Sequence, residues 1–122
     1  MLIGWLLVAG AVGATGRYLV DGRVQRRATG LFPWATFTIN VSGSFVLGLI
    51  VGLAEYHDLG RLPVTAIGTG FCGAITTFST YSYESVRLLE RGAVGAAAAN
   101  VVGSVVVGLL AAGAAIALVA AL

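Results

Sequence analysis

The chain has 122 residues, 58% hydrophobic and only 10% charged, and its net charge of +2 rests on arginines alone because it contains no lysine. Soluble domains carry about 25% charged residues, so this composition excludes a water-soluble globular protein and implies an integral membrane protein. A hydrocarbon core takes about 20 helical residues to cross, so four crossings with short loops use nearly the whole of 1–122 as one all-α transmembrane domain.

The residues from Met1 to Ala9 place no basic segment ahead of the apolar run, so the first helix is expected to be retained. It spans about 2–20, with Gly10, Gly13 and Gly16 along one stripe that lets a neighbouring helix approach closely. Arg17 lies one turn beyond Gly13. It either snorkels to the headgroups or supplies a fixed positive charge that draws anions to a vestibule. Asp21, Arg23, Arg26 and Arg27 read as a polar loop, closed by Gly30 and Pro33. Arginines gathered at helix ends point to lipid headgroups and not to nucleic acid.

The second span covers about 34–53, with Trp34 at the membrane interface. Within it Thr36, Asn40, Ser44 and Gly48 recur every four residues and form a polar stripe on one face. Asn40 there serves either an interhelical hydrogen bond or a ligand. Glu55, His57, Asp58 and Arg61 read as a short loop, with His57 solvated.

The third span, about 62–89, exceeds one crossing, and Gly68, Gly70 and Gly73 weaken it. A break is therefore expected at 73–76, where freed carbonyls at membrane depth suit a cation. Beyond it, Phe78, Tyr81, Ser82 and Ser85 share a face by their helical spacing. Glu84 stands four residues after Thr80 and three before Arg87, which suggests an ion pair near the helix end. Cys72 is the only cysteine, so an internal disulfide and a thiolate metal cluster are excluded. The fourth span, about 93–119, repeats the polar pattern with Asn100, Ser104 and Gly108, and the two polar stripes can face one another.

A lone histidine in a loop does not make a hydrolase, so no enzyme is expected. A proton-coupled carrier wants a carboxylate at mid-membrane, whereas all five acids lie near span ends, with Glu84 the deepest. What remains is a lining of amides, hydroxyls and rings suited to a small anion solvated piecemeal. An anion that small would be fluoride, with Asn40, Ser and Thr as donors and the positive edges of Phe78 and Tyr81 beside it, although spacing alone does not single it out.

Three stretches carry a resemblance to a known family: Gly13-Ala14-Thr15-Gly16-Arg17-Tyr18, Thr38-Ile39-Asn40-Val41-Ser42-Gly43-Ser44-Phe45, and Gly70 to Thr80 followed by Glu84. In order, on a chain of this size, they resemble the Fluc/CrcB family of small membrane fluoride channels over essentially the full length. The resemblance implies an antiparallel, dual-topology dimer with two pores that passes fluoride passively out of the cell. It further implies that Asn40 donates to fluoride, that Phe78 offers a ring edge, and that Tyr81 stands where relatives usually carry phenylalanine. Carbonyls of Gly73 and Thr76 would hold a structural sodium ion at the dimer interface. Ser104 and Asn100 match pore-facing positions, the latter often tyrosine in relatives, and Thr36, Ser79, Thr80 and Glu84 look like a polar track. The partner is a second copy or an oppositely oriented homologue. A small multidrug-type proton-coupled exporter shares the size and helix count, but would carry an acid in the first span, which has none. A purely structural assembly protein accounts for the glycines and not for the hydroxyl-rich break.

Overall fold

A computed structural model describes every residue from Met1 to Leu122. Its helices are α1 (Leu2–Arg27), α2 (Trp34–Tyr56), α3, α4 (Phe78–Glu90) and α5 (Val94–Ala120), where α3 joins α-helical Arg61–Pro63, π-helical Val64–Cys72 and α-helical Gly73–Ile75. Four stretches are long and apolar enough to cross a membrane, the third being α3 and α4 together. Only 18 of 122 residues are buried within the chain, so most of its apolar surface must be covered from outside, as membrane hydrocarbon does. The protein is a multi-pass integral membrane protein.

Small residues set the packing. A Cβ on Gly13 would come within 2.5 Å of the Phe71 carbonyl oxygen, so α1 reaches the α3 backbone only because that side chain is absent. Gly70 answers from α3, facing Ala9 and Leu6. Between α2 and α5, Gly48 lies against the backbone of Ala112, and Gly52 against Ile116 and Val119. Gly108 meets Ser44, so the two polar stripes do face one another. After α4 the chain reverses at Gly92, whose φ of +76° permits a Schellman turn with Ala93 N–H on Leu88 C=O at 2.9 Å.

Several boundaries differ from the sequence reading. The expected polar loop after residue 20 is helical through Arg27: the lone Gly22 does not end the helix, Gln25 Nε2 donates to Asp21 Oδ1 at 3.1 Å, and Arg26 and Arg27 sit favourably at the helix C-terminus. The second span likewise continues through Glu55 to Tyr56. His57 is exposed but engaged, with Nε2 3.2 Å from the Val119 carbonyl oxygen, tying the ends of α2 and α5.

The interruption of the third span falls at Thr76 and Thr77, both extended, while Gly73–Ile75 stays helical. The glycines express their weakness earlier, as the π-helical segment. The β-branched run Ile75-Thr76-Thr77 disfavours helix, and Thr77 restarts it as an N-cap, its Oγ1 accepting from Thr80 N–H at 3.2 Å.

Candidate functional site at the helix break

Breaking a helix inside a membrane strands backbone groups that must find partners. At Thr77 one side chain serves both: Asn40 Nδ2 donates to the Thr77 carbonyl oxygen at 3.0 Å, and Thr77 N–H donates to Asn40 Oδ1 at 2.9 Å. The polar stripe of α2 thus fixes the break. The carbonyls of Gly73, Ala74, Ile75 and Thr76 have no hydrogen-bond partner in the chain, as expected of a helix C-terminus. A Cβ on Gly73 would meet nothing within 4 Å, so the backbone there is open on that side.

A cavity of about 440 Å³ opens beside this junction and brings together Asn40, Ser44, Gly73, Thr76, Thr77, Phe78, Tyr81 and Ser104. The Phe78 and Tyr81 rings are 5.7 Å apart and tilted by 41°. Phe78 is 79% exposed, so its ring is free to meet an ion, lipid or a second chain. Tyr81 is held: its hydroxyl donates to the Val101 carbonyl oxygen at 3.0 Å.

Most hydroxyl protons around the cavity are already committed. Ser44 Oγ donates to Asn40 O at 2.8 Å, Thr76 Oγ1 to Cys72 O at 2.8 Å, and Ser104 Oγ to Asn100 Oδ1 at 3.3 Å. Each net bond is worth about 1 kcal/mol, so each hydroxyl can exchange its present acceptor, backbone or side chain, for another at modest cost. The second N–H of the Asn40 amide needs no such exchange.

Two further crevices extend the polar lining. One of about 280 Å³ is lined by Arg17, Asp21, Thr36, Thr77 and Thr80, and one of about 350 Å³ by Thr80, Glu84, Arg87 and Arg91. Thr77 belongs to the first two spaces and Thr80 to the last two, so the polar surface runs from Asn40 past Thr77 and Thr80 to Glu84. Thr36 is buried beside the Glu84 carboxyl without a hydrogen bond of good geometry, and Glu84 Oε2 is enclosed with no partner. The expected Glu84–Arg87 pair does not form: Arg87 Nη1 lies 3.4 Å from the Tyr83 hydroxyl, and its guanidinium sits 5.7 Å from that ring's centroid. Ser79 is exposed and 3.3 Å from Thr77 Oγ1.

Asn100 lies outside these spaces. It is fully buried between α4 and α5, where Nδ2 donates to Ser85 Oγ at 2.8 Å and Ser85 Oγ in turn donates to Tyr81 O at 2.8 Å. Asn100 thus braces the backbone of Tyr81 from behind. Sequence reasoning passed over Thr77, although Thr-x-x-Thr after a run of poor helix formers was a readable N-cap signal.

Residues 4–116 match the family described as CrcB-like protein, Camphor Resistance (CrcB). The chain is 53% identical over 107 residues to "Fluoride-specific ion channel FluC 1" of Streptomyces avermitilis, covering 86% of each chain. It is 50% identical over 111 residues to the protein of the same name in Frankia casuarinae, covering 83% of this chain and 84% of that one. "Fluoride-specific ion channel FluC 2" of Mycobacterium bovis is 46% identical over 110 residues, with 90% of this chain and 83% of that one covered. The match spans α1 through most of α5 and includes the whole of the broken third span, and the chain therefore belongs to the CrcB-like family.

Proposed function

We propose that this chain is a subunit of a fluoride-selective channel that lets fluoride leave the cell down its electrochemical gradient. The observation that carries the reading is the polar succession from Asn40 to Glu84, with the exposed ring of Phe78 at its start, in a chain whose relatives are named fluoride-specific ion channels. Asn40 offers its remaining N–H, the rings offer positive edges, and hydroxyls turn from backbone carbonyls to replace water in steps. Arg17, beside Thr36 and Thr80, supplies positive charge at the mouth. Ser104 and Tyr81 complete the lining on the side of α5 and α4, while Asn100 supports Tyr81 from outside the path.

The proposed working form is an antiparallel dimer with two pores. The exposed Phe78 and the open backbone at Gly73 support it, because both leave a functional surface unfinished in a single chain. The partner is a second copy or a homologue of opposite orientation, and the distinction between FluC 1 and FluC 2 among relatives is why the second arrangement is retained.

The unpartnered carbonyls of Gly73 and Thr76 suit a structural sodium ion at the interface of two chains, since hard cations take oxygen ligands. The ion would supply fixed positive charge and join the two breaks. Fluoride-electrode recordings of efflux from reconstituted vesicles test the channel reading. Vesicles loaded with sodium fluoride, followed with a sodium indicator, test the sodium role: sodium movement coupled to fluoride would contradict it.

A further inference from the structure

A third space, of about 510 Å³, lies away from the helix break, between the C-terminal end of α1 and the start of α2. Its polar side chains are Arg23, Arg27, Thr29, Trp34 and Thr38, and no carboxylate lines it. Each can donate a hydrogen bond, and none of these side chains makes one within the chain: the nearest acid in sequence, Asp21, is taken by Gln25. Arg23 and Arg27 are one helical turn apart and so extend from the same face of α1. A space lined by two guanidiniums and further unspent donors, with no carboxylate among them, is built for a phosphate group.

Its depth narrows the source. About 20 residues of α1 fill the hydrocarbon, which puts Arg23 and Arg27 just beyond it. Trp34 belongs to an aromatic cluster with Phe32 and Phe37, at ring distances of 4.5 and 5.8 Å, of the kind that sits at headgroup level. We propose that this crevice is a binding site for the phosphate head of an anionic phospholipid, held by Arg23 and Arg27 and closed by Thr29, Thr38 and Trp34. A free phosphate ion shares the chemistry, but the level of the crevice presents it to lipid headgroups. The site does not depend on what passes along the break.

The test is the number of phosphatidylglycerol molecules kept per chain in native mass spectrometry after reconstitution. The R23Q/R27Q variant changes only exposed side chains in the last turns of α1, beyond the hydrocarbon, and should fold normally. Its retention should fall about 30-fold, the loss expected for two near-surface cationic contacts. The charge-matched R26Q/R91Q variant, with both changes outside the crevice, should retain lipid as the parent does, and excess inorganic phosphate should not displace it. Equal retention by all three chains, or equal loss in both variants, overturns the proposal. Displacement by inorganic phosphate also overturns it, assigning the crevice to a free anion.

Discussion

Asn40 and Thr77, 37 residues apart in sequence, hold each other like a backbone pair: the Asn40 amide gives one hydrogen bond to the Thr77 main chain and accepts another, at 3.0 and 2.9 Å. The contact ties the proposed ion site to the fold. Asn40→Asp keeps the acceptor but sets a carboxylate against the Thr77 carbonyl oxygen, and Asn40→Leu leaves both backbone groups bare. We expect either change to abolish fluoride efflux and to lower stability by about 2 kcal/mol, as unsatisfied buried groups do. Efflux and thermal unfolding of one sample check both effects, and unchanged flux in Asn40→Asp would place the path elsewhere.

The two rings separate by their restraint. Phe78→Ile keeps bulk but removes the positive edge from the exposed position, and fluoride flux should fall at least about 100-fold, the loss of roughly 2.7 kcal/mol. Tyr81→Phe keeps the edge and removes only the bond to the Val101 carbonyl, so flux should persist while stability falls by about 1 kcal/mol. The pair is read by stopped-flow efflux. Loss of flux in Tyr81→Phe with wild-type flux in Phe78→Ile would reverse the assignment.

Close helix contacts should tolerate no added volume. Gly13→Val and Gly48→Val drive side chains into the backbone at Phe71 and Ala112, and each should cost about 1–3 kcal/mol or block assembly. Gly22→Ala, in the helical extension with open space around it, should instead stabilise by up to about 1 kcal/mol. Thermal unfolding in detergent measures the contrast.

Charge is unevenly shared between the ends of the bundle. Arg17, Arg23, Arg26, Arg27, Arg87 and Arg91 gather at one end, where Leu31 and Pro33 line a crevice with Arg87 and Arg91, and Arg61 stands alone at the other. Positive-inside bias favours one orientation, whereas an antiparallel homodimer needs both. In cells expressing only this chain, a Leu31→Cys probe should be labelled from both sides of the membrane. Labelling from one side only would assign the partnership to an oppositely oriented homologue.

Much of this was legible in the sequence because its causes are local. Hydropathy gave the four spans, four-residue spacing gave the facing stripes, and glycine spacing gave a close-contact face on α1, though not that α3 would fill it, since each follows from helical geometry alone. The break was expected from length and glycine content but sits at Thr76 and Thr77, where β-branching and an N-cap outweigh glycine. The Asn40–Thr77 clasp and the Asn100–Ser85–Tyr81 brace join residues distant in sequence or shared between helices. Spacing within one helix carries no information about either. Spacing alone does not decide between a snorkelling and a vestibule Arg17, and the structure brings it to the lining beside Thr36 and Thr80.

The proposed function requires selective passive conduction along the surface from Asn40 to Glu84. Vesicles bearing the purified chain, loaded equally with fluoride and chloride and given only a potassium gradient with valinomycin, report it through two ion-selective electrodes. Fluoride should leave rapidly while chloride stays, with no requirement for ATP or a proton gradient. Comparable chloride release, or fluoride release that stops when the proton gradient is clamped, would contradict it.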